Sequence, residues 1–235
     1  MINPSLRKGL QDGIPIALGY FSVSVAFGMA CRLSGLDILQ GAVLSFTNLT
    51  SAGQFAGVQL LAIHAGYLEI LLTELVINSR YFLMGLSLSQ KMVPNMPLWK
   101  RLLVSYGITD EIFAVAIGQK GKLSASYMAG LTILPVIGWT GGTITGALFS
   151  DILPPSVSQA LGIALYAMFI AIIIPAARRE KSVFICVLLA AGLSCLFALL
   201  PGLRNLSSGY TVILITLVVS ALCATLFPRP DEEDV

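Results

Sequence analysis

The sequence predicts an all-α polytopic membrane protein with about eight hydrophobic helical segments, six to eight of them crossing, and at least one broken helix near residues 47–54. Three observations predict it. Of the 235 residues, 56% are hydrophobic and 11% charged, whereas roughly a quarter of a soluble domain is charged. Mean hydropathy is +0.87. The apolar residues fall in runs close to the ~20 residues that one bilayer crossing takes. A larger soluble core does not explain the shortfall, because a chain of this size must still cover its surface with polar groups. A soluble enzyme, a nucleic-acid binder and a disordered chain are excluded. The charge balance, 14 Lys+Arg against 12 Asp+Glu, also offers nothing to a nucleic acid.

The apolar segments cover residues 13–33, 37–63, 66–90, 100–119, 124–149, 156–177, 182–200 and 206–227. Residues 1–12 form a cytoplasmic N-terminus, 13–227 a single transmembrane transport domain and 228–235 an acidic tail carrying Asp231, Glu232, Glu233 and Asp234. The first segment follows Arg7 and Lys8 and reads as a retained span, since further spans follow at once. Ser34-Gly35-Leu36-Asp37, Pro94-Asn95-Met96-Pro97, Lys120-Gly121-Lys122, Pro154-Pro155, Arg178-Arg179-Glu180-Lys181 and Pro201-Gly202 mark the breaks. Lys and Arg in short loops face the cytoplasm. Eight crossings leave Lys91, Lys100 and Arg101 outside. Making both the second and the fourth segment re-entrant brings every basic loop inside. Both versions stand on the sequence, with eight helical segments as the default. Pro15 with Gly19-Tyr20 faintly echoes Pro135 with Gly138-Trp139, a weak sign of an internal repeat.

Segment two is too long for one simple span, and its centre is polar: Thr47-Asn48-Leu49-Thr50-Ser51-Ala52-Gly53-Gln54. Irregular backbone at membrane depth survives only where protein or water satisfies it, and such breaks build transporter sites. The plainer alternative is helix packing through small residues. Asn48 and Gln54 add amides that packing does not need. Segment three carries Glu69, Glu74, Asn78 and Arg80. An ionised group there costs ~2.5 kcal/mol or more, so it lines a cavity or pairs. Glu69 is near an end and is expected to reach water. Arg80 is deep and needs an anionic partner. Segment four offers Asp110 and Glu111, adjacent and so ~100° apart on a helix, which is not the geometry of a catalytic dyad. One is free to pair with Arg80 while the other titrates or holds a cation.

In segment five, Gly142 and Gly146 have the spacing that lets backbones approach, and Thr140-Gly141-Gly142-Thr143 is a candidate opened helix. Segments six to eight are nearly free of deep polar groups and read as scaffold, with Tyr166 and Tyr210 as interfacial anchors. The four cysteines lie in apolar stretches with no CxxC pair and read as small core residues rather than a disulfide framework or zinc site. His64 sits in a connection. Metalloprotease, serine-hydrolase and P-loop motifs are missing from the sequence, so it reads as no enzyme, with no cofactor.

The ordered motifs Gly13-x-Pro15, Gly19-Tyr20, Ala26-Phe27-Gly28, Ala52-Gly53-Gln54-Phe55, Asn78-Ser79-Arg80-Tyr81-x-Leu83-Met84, Thr109-Asp110-Glu111, and Trp139 with Thr143 and Gly146 resemble the AzlC family over residues 10–227. That family comprises large subunits of bacterial branched-chain amino acid exporters. The resemblance implies a small hydrophobic partner subunit of the AzlD type and export of valine, leucine, isoleucine or a similar solute across the inner membrane. Two positions depart from the family's usual pattern: Gly53 directly precedes Gln54, and Tyr81 stands in place of a histidine.

A zwitterionic cargo needs two poles. Arg80, Asn78 or the amides and opened backbone of Asn48–Gln54 are expected to take its carboxylate. Asp110, Glu74 or Glu111 are expected to take the ammonium or a coupling proton, with Phe55 and Phe113 as apolar walls. A passive channel and a non-transporting scaffold subunit are the rival readings.

Overall fold

The computed structural model describes residues 3–150, 152, 170, 173–174, 177–203 and 206–228. The sixth segment (156–177), the Pro154-Pro155 turn, Tyr166 and the acidic tail fall largely or wholly outside the described residues. Nine helices have both ends among those residues: α1 (Pro4–Leu33), α2 (Ile38–Thr47), α3 (Ala52–Ala62), α4 (Tyr67–Lys91), α5 (Leu98–Tyr106), α6 (Asp110–Gly118), α7 (Ala125–Phe149), α8 (Lys181–Leu199) and α9 (Ser208–Leu226). No strand occurs among the described residues; a single isolated bridge joins Met92 to Leu123.

Four of these helices are long and apolar enough to cross a bilayer: α1, α7, α8 and α9. The chain is thus an all-helical, multi-pass membrane protein. Large apolar side chains lie exposed along its helices, among them Leu18, Phe82, Leu103, Ile137 and Leu188. Facing hydrocarbon, this exposure costs nothing.

The centre of the fold is the pair α1 and α7, which run parallel with their backbones in contact. Small residues make this possible. A Cβ at Gly9 would overlap the Tyr127 carbonyl, at Gly28 that of Thr143, at Gly142 that of Phe21, and at Gly146 that of Val25. The Gly142/Gly146 spacing therefore serves close approach. Both helices carry an internal proline, Pro15 and Pro135, and α7 stays helical through Thr140-Gly141-Gly142-Thr143. The alternative of an opened helix there is corrected: Ser24 and Thr143 pack into the seam and leave no reason to unwind.

In place of one long second segment stand two short helices. α2 begins at a capping box in which Asp37 and Gln40 bond reciprocally. It starts beside the C-terminal end of α1, where Gly41 lies against Cys31. It descends until Leu49 packs with Tyr20, Val136 and Trp139. Residues 48–51 are not helical. α3 then climbs back, so that Phe55 and Val58 pack with Phe27 and Cys31 of α1. At 10 and 11 residues, each helix is about 15–17 Å long, half of a ~30 Å hydrocarbon core.

α4 runs antiparallel to α1 and α7, and its end at Met92 reaches Leu123, just before α7. The fourth segment repeats the hairpin from the opposite side. α5 rises from Pro97, a non-helical stretch (Gly107–Thr109) follows, and α6 returns until Gln119 bonds Asp12 near the start of α1. Gly107 fits there because Thr132 of α7 occupies the space its side chain would need.

Two expectations are corrected at the periphery. Glu69 does not reach water: it is 7% exposed, accepts the Ser207 hydroxyl, and lies with Thr73 against Gly209 of α9. Cys186 and Cys223 are not separate core residues. Their sulfurs come together between α8 and α9, with Cα atoms 6.3 Å apart. Cys31 and Cys195 are unpaired.

Candidate functional site

The two non-helical stretches are linked through α1 and α4: Leu49 packs with Tyr20, whose hydroxyl meets Thr109, and Thr50 accepts from Tyr81, next to the Arg80 that pairs with Asp110. α6 starts with Thr109 as its N-cap, whose hydroxyl accepts the Ile112 N–H at 3.3 Å. Asp110 and Glu111 occupy its first turn, where carboxylates complement the positive end of a helix. Being adjacent, they point to different partners. Asp110 meets Arg80 of α4 at 3.0 Å. Glu111 receives the Tyr20 O–H at 2.5 Å, and the same phenol oxygen lies 2.6 Å from Thr109 Oγ1.

Arg80 does more than pair. Its guanidinium lies 5.1 Å from the Tyr81 ring centroid, and its Nη2 donates to the Tyr81 oxygen at 3.4 Å. Tyr81 in turn donates to the Thr50 carbonyl at 3.4 Å, so the guanidinium is tied to the break between α2 and α3. Arg80 and Asp110 are 39% and 32% exposed, and the pair is therefore not sealed in a dry core. Tyr106 closes the other flank by donating to the Phe46 carbonyl at the end of α2.

The α2–α3 break is rich in unsatisfied groups. Ser51 holds φ at +49°, a conformation non-glycine residues rarely adopt. It is the N-cap of α3 yet makes no side-chain cap bond. Thr50 Oγ1, Ser51 Oγ, Gln54 Oε1, Asn78 Oδ1 and Arg80 Nε are buried without a hydrogen-bond partner among the described residues. Native interiors hold few such atoms, and each calls for a physical reason. Glu74 and Asn78 of α4 face this break, bonded to each other at 2.8 Å.

Of the residues singled out from the sequence, Arg80, Asp110, Glu111, Asn78 and Glu74 gather around this centre. Gln54 lies behind it, 3% exposed, donating to Ser45 Oγ at 3.4 Å, which in turn meets Thr143 Oγ1 at 2.7 Å. Asn48 caps α2, its N–H donating to the Leu44 carbonyl at 3.0 Å. Phe55 is core: its ring meets Phe27 edge-on with centroids 5.0 Å apart. Phe113 packs against the cluster of Leu88, Ile112 and Met128. Sequence reasoning missed Tyr20, Thr109, Tyr81 and Thr50 as partners in the network. Tyr20, Thr109 and Tyr81 showed only as members of the short motifs and Thr50 only as part of the polar Thr47–Gln54 stretch, since no spacing rule relates residue 20 to residue 111.

A cleft of about 490 Å³ between α4 and α5 borders the centre at Tyr81 and is otherwise lined by residues such as Phe82, Met92 and Arg101. A second, apolar cleft of about 540 Å³ runs between α5 and α7 past Trp99, Tyr106 and Val136. Arg80 and Asp110 line neither.

Compared with known proteins, residues 15–153 match the family described as AzlC protein. The chain is 28% identical over 197 residues to "Inner membrane protein YgaZ" of Escherichia coli (strain K12), covering 81% of this chain and 80% of that protein. It is 28% identical over 171 residues to an uncharacterized membrane protein of Archaeoglobus fulgidus, covering 72% and 74%. To "Branched-chain amino acid transport protein AzlC" of Bacillus subtilis (strain 168) it is 23% identical over 180 residues, covering 75% and 70%. No solved structure matches.

Proposed function

The chain belongs to the AzlC family, and from that membership we propose that it is the large subunit of a secondary exporter of branched-chain or similar small neutral amino acids. The observation that carries the reading is the Arg80–Asp110 pair at 3.0 Å, linked through Tyr81 to the α2–α3 break with its unsatisfied polar atoms. A guanidinium and three carboxylates at such depth are expensive unless they line a route for something equally polar. The Bacillus subtilis relative, a branched-chain amino acid transport protein by name, suggests the cargo class.

In this reading α2–α3 and α5–α6 are re-entrant hairpins that enter from opposite faces and turn back near the midplane. The membrane is the bacterial inner membrane and the N-terminus is cytoplasmic. Lys91, Lys100, Arg101, Lys120 and Lys122 then share the cytoplasmic side with Arg7 and Lys8, as short basic loops should. The positive ends of α3 and α6 converge on the centre, where broken helices present unpaired backbone to cargo and ions. Arg80 exchanges Asp110 for the substrate carboxylate, and a proton released to or taken from Asp110, Glu111 or Glu74 couples the cycle. With no nucleotide motif in the sequence, an ion gradient drives export. A small hydrophobic AzlD-like subunit completes the exporter.

The test is efflux of radiolabelled leucine from loaded cells expressing this chain with and without the small hydrophobic protein. Export above background that collapses with an uncoupler is expected. Export indifferent to the uncoupler makes the chain a passive facilitator, and no export in either strain leaves it a scaffold.

A further inference from the structure

The cleft between α5 and α7 lies apart from the Arg80–Asp110 pair and has a chemistry of its own. On α5 the exposed Trp99, Leu103 and Tyr106 recur at helical spacing; on α7 Ala129, Ile133 and Ile137 do the same, also exposed. These two stripes form its walls. α5 and α7 start side by side, because Met92, Met96 and Val104 share one cluster with Leu123, Tyr127 and Met128. They stay together, since Gly107 at the end of α5 lies against Thr132. The cleft therefore runs lengthwise, from Lys100, Ala125 and Ser126 at the helix starts to Val136 and Ile137. The rise from Ala125 to Ile137 makes it ~18 Å long, close to the depth of one leaflet, which is half of ~30 Å.

Its two ends differ. The walls are mostly apolar, whereas the end at the helix starts carries Lys100, whose ammonium stacks over the Trp99 ring, 5.3 Å from the centroid. No carboxylate lines the cleft among the described residues, and the sequence has none between Glu74 and Asp110. A cation and an indole at one end of a hydrocarbon slot match the parts of an anionic phospholipid: phosphate at the ammonium, ester region at the indole, acyl chain along the slot. A volume of about 540 Å³ over that length leaves ~30 Å² of cross-section, against ~80 Å² for a helix 10 Å across. The slot is sized for a hydrocarbon chain and too narrow to seat a transmembrane helix.

We infer that the α5–α7 cleft is a binding site for one anionic phospholipid, with its phosphate at Lys100 and one acyl chain lying between the two helices. The far end of that chain reaches Tyr106 and Phe46, whose ring centroids are 6.4 Å apart and whose hydrogen bond joins α5 to the end of α2. The lipid thus braces the two hairpins from the membrane side. The site stands on the cleft and holds whether or not the chain exports amino acids.

The chain's two tryptophans supply the readout. Trp139 is 1% exposed and out of reach of lipid, so quenching of fluorescence by brominated acyl chains reports Trp99. The full chain is reconstituted, alone and with its small partner subunit, in phosphatidylcholine vesicles. An increasing fraction of brominated lipid is added, either as phosphatidylglycerol or as phosphatidylcholine. Half-quenching is expected at a fraction about fivefold lower for the phosphatidylglycerol, the factor that one lysine near the surface contributes. Lys100→Gln, which removes the charge, and Ala129→Phe, which fills the slot from α7, each bring the two lipids to the same half-quenching fraction. Both variants keep the wild-type melting temperature in detergent, since neither position is buried. Equal quenching by the two lipids in the wild type, or a preference that survives either variant, overturns the site. Loss of the preference when the partner subunit is present assigns the cleft to a protein and overturns it as well.

Discussion

Arg80 and Asp110 meet at 3.0 Å although they belong to elements that approach from opposite ends of the protein. Arg80 lies within the long helix α4, and Asp110 is the first residue of the returning half-helix α6. Their contact fixes α6 against α4, and the stacking of Arg80 on Tyr81, with the Tyr81 bond to Thr50, ties both to the break after α2. One guanidinium thus joins two hairpins. Anything that draws it away from Asp110 loosens the centre, which makes the pair suited to a gate as well as to a binding pole.

If the chain exports leucine as proposed, Arg80→Ala and Asp110→Asn are each expected to abolish that export while leaving membrane insertion intact. Because both groups are about a third exposed, the pair contributes ~1 kcal/mol or less to stability. Melting temperatures in detergent should therefore move little while flux is lost. Arg80→Lys restores the charge without the planar guanidinium that lies over Tyr81 and recovers only part of the flux.

The hairpin topology is checked by single cysteines in a background lacking the native four. Cysteines at Asp37 and His64 both react with an impermeant maleimide from outside. Those at Asn95 and Lys120 react only after the cytoplasmic face is opened. If segments two and four cross instead, the two sites of each pair label from opposite sides.

The seam between α1 and α7 tolerates no side chain at its close-approach glycines. Gly146→Val puts a Cβ 2.0 Å from the Val25 carbonyl oxygen and destabilises the fold by ~3 kcal/mol, read as a fall in detergent melting temperature and in yield. Gly19→Ala and Gly141→Ala have open space around them; they leave stability unchanged or raise it by ~0.5–1 kcal/mol through helix propensity.

Tyr20→Phe removes the hydroxyl that Glu111 accepts without changing ring packing on Trp139, whose centroid is 5.3 Å away. A hydrogen bond to a charged group is worth ~1.5–3 kcal/mol, so a moderate drop in melting temperature accompanies slowed export. Glu111→Gln should show the same flux defect, since both act on one contact.

Hydropathy and punctuation made the long helices legible. The polar centre at Thr47–Gln54 and the depth of Arg80 also stood out, because charge and amides in an apolar run are rare. The directions of the half-helices were not legible. Apolar period reports that a segment is buried and helical, and says nothing of whether the chain continues or turns back after Asn48 or Gly107. That choice is made by packing: Phe55 returning to Phe27, and Gln119 reaching Asp12. The fate of Glu69 was misread for a similar reason, since its partner Ser207 lies far along the chain. The Tyr20–Glu111 bond and the meeting of Cys186 with Cys223 are likewise contacts between distant segments that no local spacing encodes.

The central claim is that the polar centre where the two hairpins meet is the passage for cargo. Counterflow of labelled leucine in proteoliposomes holding the wild-type protein, Arg80→Ala or Asp110→Asn, together with any partner subunit it requires, tests it most directly. Saturable counterflow in the wild type and background flux in both variants, at equal reconstituted protein, is the predicted result. Equal counterflow in all three contradicts the account.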